Sequence, residues 1–138
     1  MIAYLDTSAL LRLVLREPGA LEELRSCEAL VSSELVAVES LRTIDRLRLQ
    51  GALSLDEAAS RRGTVAEWLE AVDLVLLRRL VLARASEPFP TPLGTLDALH
   101  LATALVWRER AQQALVMATH DRDLALAARS FGIEVLGV

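Results

Sequence analysis

The chain has 138 residues, with 19 Asp and Glu against 15 basic side chains and a formal net charge of −4. That length suits one domain, and that charge excludes nucleic-acid binding driven by a basic surface alone. A single cysteine, Cys27, excludes an internal disulfide and a cysteine-based zinc site; the two histidines, His100 and His120, leave oxygen as the main donor to any metal, which suits Mg²⁺ or Mn²⁺.

Ile2-Ala3-Tyr4-Leu5 is a short continuous apolar run and reads as a buried strand of a parallel sheet. Asp6 interrupts the apolar N-terminus, no basic lead-in precedes it, and no uncharged apolar run approaches about 18 residues. The expectation is a cytoplasmic protein without a membrane span. Asp6-Thr7-Ser8 offers N-cap chemistry for a helix through about Glu17, before Pro18 and Gly19 punctuate the chain. A second short helix should end near Cys27.

Ala29 to Ser32 reads as the second strand, and Ser33 as the cap of a long helix that Gly51 stops. Ser54 can cap a helix over Leu55 to Glu70. Leu74 to Leu77 reads as the third strand, with a short helix after it to about Ala85. Pro88, Pro90 and Pro92 make the next stretch an irregular loop. Thr95 is placed to cap a helix over Leu96 to about Arg110, apolar nearly all round and therefore buried. Leu115 to Ala118 is the fourth strand, Asp121 to Phe131 a helix closed by Gly132, and Ile133 to Leu136 the last strand. Strands alternating with helices indicate an α/β sandwich with a parallel sheet, whose ligands bind at the strands' carboxyl ends. With only 4% aromatic residues, Leu, Val and Ala must fill its core.

A few acids stand at that edge. Asp6 directly follows the first strand, where it reads equally as a helix cap and as a metal ligand. Asp97 lies in the first turn of the most apolar helix, as a partner of the helix dipole or as a second ligand. Asp121 and Asp123 follow the fourth strand; one of them can cap the last helix, and Asp121 is the favoured site residue. Glu39 shares a helical stripe with Arg42 and Arg46, and spacing alone favours a surface ion pair. Glu34 reads as a dipole partner in the same helix. Carboxylates crowded at one edge repel, and a folded protein tolerates this when a cation neutralises them.

The same segments resemble a known family. Tyr4-Leu5-Asp6-Thr7-Ser8-Ala9-Leu10 looks like the opening strand and Asp of PIN domains. Ser32 to Glu39 is similar to their second strand leading to a helical Glu, Thr95 to Ala104 to their third acidic motif, and Ala118 to Leu124 with Gly132 to the fourth. Short chains of this kind most resemble the VapC-type toxins of toxin–antitoxin pairs. The resemblance implies a five-stranded, mainly parallel sheet in a three-layer sandwich. It implies Mg²⁺ or Mn²⁺ held by Asp6, Asp97 and Asp121, with Glu39 completing the catalytic acids and raised from a surface ion pair to a site residue. It also implies endonucleolytic cleavage of RNA, a homodimer, a VapB-type antitoxin that blocks the site, and Ser8 and Thr119 as hydroxyls near metal-bound water or phosphate.

Rival readings fit less well. A phosphatase using Asp6 as nucleophile would have a second Asp where Ser8 stands, and a phospho-acceptor domain would need a Lys, which the chain lacks. A PIN-like binding module without activity would not need all four acids.

Overall fold

A computed structural model describes residues 1–138. Five strands form one sheet: β1 (Ile2–Leu5), β2 (Ala29–Ser33), β3 (Val72–Val75), β4 (Val116–Ala118) and β5 (Glu134–Leu136). Their order is β3-β2-β1-β4-β5, and every neighbouring pair is parallel. The helices are α1 (Thr7–Leu15), α2 (Leu35–Leu49), α3 (Leu55–Glu70), α4 (Arg79–Ala85), α5 (Thr95–Ala111) and α6 (Arg122–Ser130), with a 3-10 turn at Glu22–Ser26. No helix is long and apolar enough to cross a membrane.

Helices cover both faces of the sheet, so the central strand is buried on both sides. Alternation along β1 divides the core. Ala3 and Leu5 join Leu10, Ile44 and Trp68 from α1, α2 and α3 on one face. Tyr4 points the other way, among Leu101 and Leu105 of α5 and Leu124 of α6. Buried Leu and Ala dominate both clusters, and truncating one such Leu to Ala costs about 2–5 kcal/mol.

After β1 the chain builds β2 and β3 on one side, then returns to place β4 on the other side of β1. The strand order therefore reverses between β1 and β4, and the crevice beyond their carboxyl ends is where ligands of such sheets bind. The Asp6 amide donates to the Ala118 carbonyl at 3.0 Å and locks these two strand ends together.

Several boundaries differ from the sequence reading. The third strand lies at Val72–Val75, not Leu74–Leu77, because β2 pairs Leu30 with Val72 and Ser33 with Val75. Leu76, expected in the strand, is 46% exposed beyond it. Helix α1 ends at Leu15, where Arg16 turns to φ 57° and its amide reaches back to the Arg12 and Leu13 carbonyls. The short helix before Cys27 is the 3-10 turn. Thr95 does not cap α5: Gly94 is the N-cap, with no side-chain hydrogen bond. Ser54, in contrast, forms a full capping box with Glu57. Ser33 accepts from the Leu35 amide at 3.2 Å, while Glu34 opens the helical geometry of α2.

Candidate active site

Asp6 ends β1 and begins α1, and it is buried. Three donors saturate its Oδ2: Ser8 Oγ at 2.6 Å, Thr119 Oγ1 at 2.8 Å and the Ser8 amide at 3.3 Å. Ser8 Oγ in turn accepts from the His120 amide, and Thr119 Oγ1 from the Asp121 amide. The two hydroxyls thus hold Asp6 and stitch the β1 end to the segment after β4. The cap reading of Asp6 holds, since Oδ2 caps α1; Oδ1 has no hydrogen bond and faces His100 Nε2 at 3.8 Å.

Asp121 also has two tasks available. Its Oδ1 accepts from the amides of Asp123 and Leu124 and so caps α6. Its other oxygen carries no hydrogen bond. Asp123 is exposed and is not the cap.

Asp97, in the first turn of α5, is half-buried and makes no hydrogen bond or ion pair. Burial, then the negative charges of Asp121 and Asp6 and, more weakly, Glu39, push its carboxyl up to about 6, against a small opposing pull from His100. Asp6, Glu39, Asp97 and Asp121, brought from four separate segments, thus share one electrostatic neighbourhood.

Glu39 is not in an arginine stripe. Arg42 pairs with Asp45 at 3.0 Å, and Arg46 reaches Thr43. Glu39 instead turns inward, where its Oε1 accepts from His100 Nε2 at 2.6 Å and from Thr7 Oγ1 at 2.9 Å. Burial works to raise this carboxyl, but the His100 hydrogen bond and charge and the Thr7 hydroxyl together hold it below the usual range. Glu34 does more than face the helix dipole: its Oε1 accepts from the Leu77 amide at 2.9 Å and ties α2 to the segment after β3.

His100 is not among the residues that sequence patterning singles out for the site, and it is the residue on which this arrangement turns. It is 1% exposed, with Nδ1 against the Tyr4 hydroxyl at 2.8 Å and Nε2 on Glu39. Burial disfavours its charged form, but the Glu39 hydrogen bond and the charges of Asp6, Glu39 and Asp97 outweigh this and raise its pKa. Burial, and next the Asp6 charge, keep Tyr4 a neutral phenol well above its ordinary range. A signal for His100 does exist in the sequence: it lies one helical turn after Asp97 on an otherwise apolar helix.

The donor set fits a hard divalent cation in kind. It is oxygen-rich and strongly negative, and free oxygens remain on Asp6, Asp97 and Asp121. As placed, no three acidic or imidazole side chains converge tightly enough to ligate one ion. A cavity of about 870 Å³ opens elsewhere, at the amino end of β2 beside Arg25, Ala29 and Trp68, and none of the four acids lines it.

Comparison with known proteins identifies the family. The PIN domain family model matches residues 3–130. The chain is also similar to a Mycobacterium tuberculosis protein described as Ribonuclease VapC46. The two are 34% identical over 136 residues, which span 96% of this chain and 95% of that protein.

Proposed function

The chain belongs to the PIN-domain family, and on that premise we propose that it is a divalent-metal-dependent endoribonuclease acting as the toxin of a type II toxin–antitoxin pair. The observation that carries this reading is the gathering of Asp6, Asp97 and Asp121 from three segments at the crevice beyond β1 and β4, each with an oxygen left free of hydrogen bonds and none paired with an arginine; the raised Asp97 carboxyl accords with it. Acids gathered at the crevice of a parallel sheet support a site for a cation there.

Asp6, Asp97 and Asp121 are the residues that would hold Mg²⁺ or Mn²⁺. Such an ion lowers the pKa of bound water and offsets charge on the phosphate oxygens. The rest of the work belongs to the chain. Ser8 and Thr119 hold Asp6 in one orientation, so its free Oδ1 is presented without rotamer search. Asp121 is fixed by the α6 amides in the same way. Glu39, ionised and with Oε2 unpartnered, is suited to orient and accept a proton from the attacking water.

RNA must approach past this negative edge. Arg78 and Arg79, which follow β3, and Arg122, which follows Asp121, stand exposed at the same carboxyl end of the sheet without acidic partners. Exposed guanidiniums there are suited to phosphate contacts. The partners in this reading are RNA as substrate, a VapB-type antitoxin that neutralises the acids with a basic side chain, and a second copy of the chain in a homodimer.

The test is cleavage of an RNA oligonucleotide by purified protein. EDTA should abolish it, and added Mg²⁺ or Mn²⁺ should restore it. Full activity in chelator refutes the metal-dependent mechanism, and no cleavage of any RNA with either metal refutes the nuclease.

A further inference from the structure

The Tyr4 hydroxyl is completely buried and accepts from the Ser33 amide at 3.1 Å, which fixes it at the junction of β1 and β2. It grips one edge of the His100 ring at 2.8 Å. The two rings meet edge-on, with planes 78° apart and centroids separated by 5.9 Å. The opposite edge of the imidazole donates to Glu39 at 2.6 Å. A buried ring bonded at both ends to partners on different elements has little freedom to turn. One rigid line therefore runs from the sheet, through α5, to a side chain on α2.

The line ends on a long, half-buried side chain that would otherwise sample several rotamers. Only one oxygen of Glu39 is consumed. Oε1 takes both donors, His100 Nε2 and Thr7 Oγ1, and Oε2 takes none. We propose that His100, gripped by Tyr4, is a positioning residue that fixes Glu39 through one carboxylate oxygen and leaves the other free for the reacting water. This rests on the RNA-hydrolysis reading of the site.

An imidazole suits this task better than the alternatives. A Lys or Arg would place a permanent cation among the acids, and Asp6 Oδ1 lies only 3.8 Å from Nε2, so it would compete with a divalent ion. A flexible amide would lack the second grip from Tyr4. Asp97 and His100 are one turn apart on α5, so the helix that delivers a candidate ligand also delivers the residue that orients Glu39. The plain rival is that Tyr4, His100 and Glu39 are only a satisfied polar group in the core.

H100L keeps bulk but no donor, H100Q places an amide nitrogen near the position of Nε2, Y4F removes the anchor, and E39Q supplies the reference background. In proton NMR of the metal-free protein, the hydrogen-bonded imidazole N–H should appear downfield, vanish in H100L and move in E39Q. In single-turnover cleavage of an RNA oligonucleotide with Mn²⁺, H100L should lower kcat by about tenfold with KM changed less than about twofold, and H100Q should recover to within about threefold of wild type. Y4F should lower kcat by about threefold, and H100L should slow E39Q by less than about twofold, because both act on one group. Wild-type kcat in H100L, no advantage of H100Q over H100L, or a full further loss in the double variant overturns the proposal. If H100L does not fold, wild-type kcat and an unmoved imidazole resonance in Y4F overturn it equally. A slow E39Q beside an unimpaired H100L refutes the relay alone, whereas E39Q at the wild-type rate removes Glu39 from the reaction and refutes the site assignment beneath it.

Discussion

Replacing Asp97 by Asn removes one charge and keeps the side chain's shape. The wild-type carboxyl rises from 3.8 to about 6 on folding, chiefly through burial and then through Asp121 and Asp6. About two pKa units correspond to about 3 kcal/mol if nothing screened them. The side chain is only half-buried, so solvent reduces this to about 1–1.5 kcal/mol. A negative charge in the first turn of α5 gains about 0.3–1 kcal/mol from the helix dipole, which Asn forfeits. The net expectation is that metal-free D97N is more stable than wild type by about 0.5 kcal/mol at pH 7.5, a rise in Tm of about 1–2 °C. The sign follows from linkage: the folded state binds the extra proton between pH 3.8 and about 6, so wild-type stability falls as pH rises through that window. Above it the penalty is fully present, and below it the carboxyl is neutral in both states. The advantage of D97N should therefore vanish near pH 4. Wild type should gain about 2.7 kcal/mol from Mn²⁺ at a hundredfold excess over its dissociation constant, and D97N much less, with cleavage lost. Thermal melts at both pH values, with and without Mn²⁺, measure all of this. A D97N protein that is less stable at pH 7.5, gains the full metal stabilisation and still cuts RNA would reduce Asp97 to a partner of the helix dipole.

Thr119→Val removes one donor from the buried Asp6 carboxylate and should lower stability by about 1.5–3 kcal/mol in urea unfolding, a loss that an unchanged midpoint would contradict. Binding of an uncleavable single-stranded DNA oligonucleotide should weaken in R122A, and the slope of log K against log salt should fall by about 0.7 for each phosphate that the missing guanidinium no longer neutralises. Arg110→Ala, at the far end of α5, should leave both unchanged; equal effects of the two would mean that the carboxyl edge is not the nucleic-acid face.

The alternation of apolar runs with helical segments made the parallel sheet legible, because a strand buried on both faces has to be apolar throughout. The same logic misplaced β3. Leu74 to Leu77 is the more apolar run, but an edge strand is set by its pairing with β2 and tolerates the exposed Asp73. Asp6, Asp97 and Asp121 could be read from their places after strands or at a helix start. Glu39 could not, because i,i+3 spacing says which residues share a stripe and not which way the stripe faces. Only the way α2 docks beside α1 and α3 turns it toward Thr7 and His100 while Arg42 goes to Asp45. Thr95 failed as a cap for a related reason: a hydroxyl beside a helix start looks the same one position early or late, and Gly94 occupies the cap itself.

The two ends of the chain lie at opposite poles of the sheet. Met1 precedes the amino end of β1, near Glu28, remote from the acids. Gly137 follows β5 at the other pole, with φ +107° and so close to the Thr119 carbonyl that an added Cβ would sit 2.3 Å from that oxygen; its own carbonyl meets His120 Nδ1 at 3.0 Å. Any load pulled on the last residues is therefore transmitted to the segment whose hydroxyl holds Asp6. Affinity handles, fluorophores and surface tethers are better placed at the amino-terminal pole, because strain at Gly137 would reach Thr119 and His120.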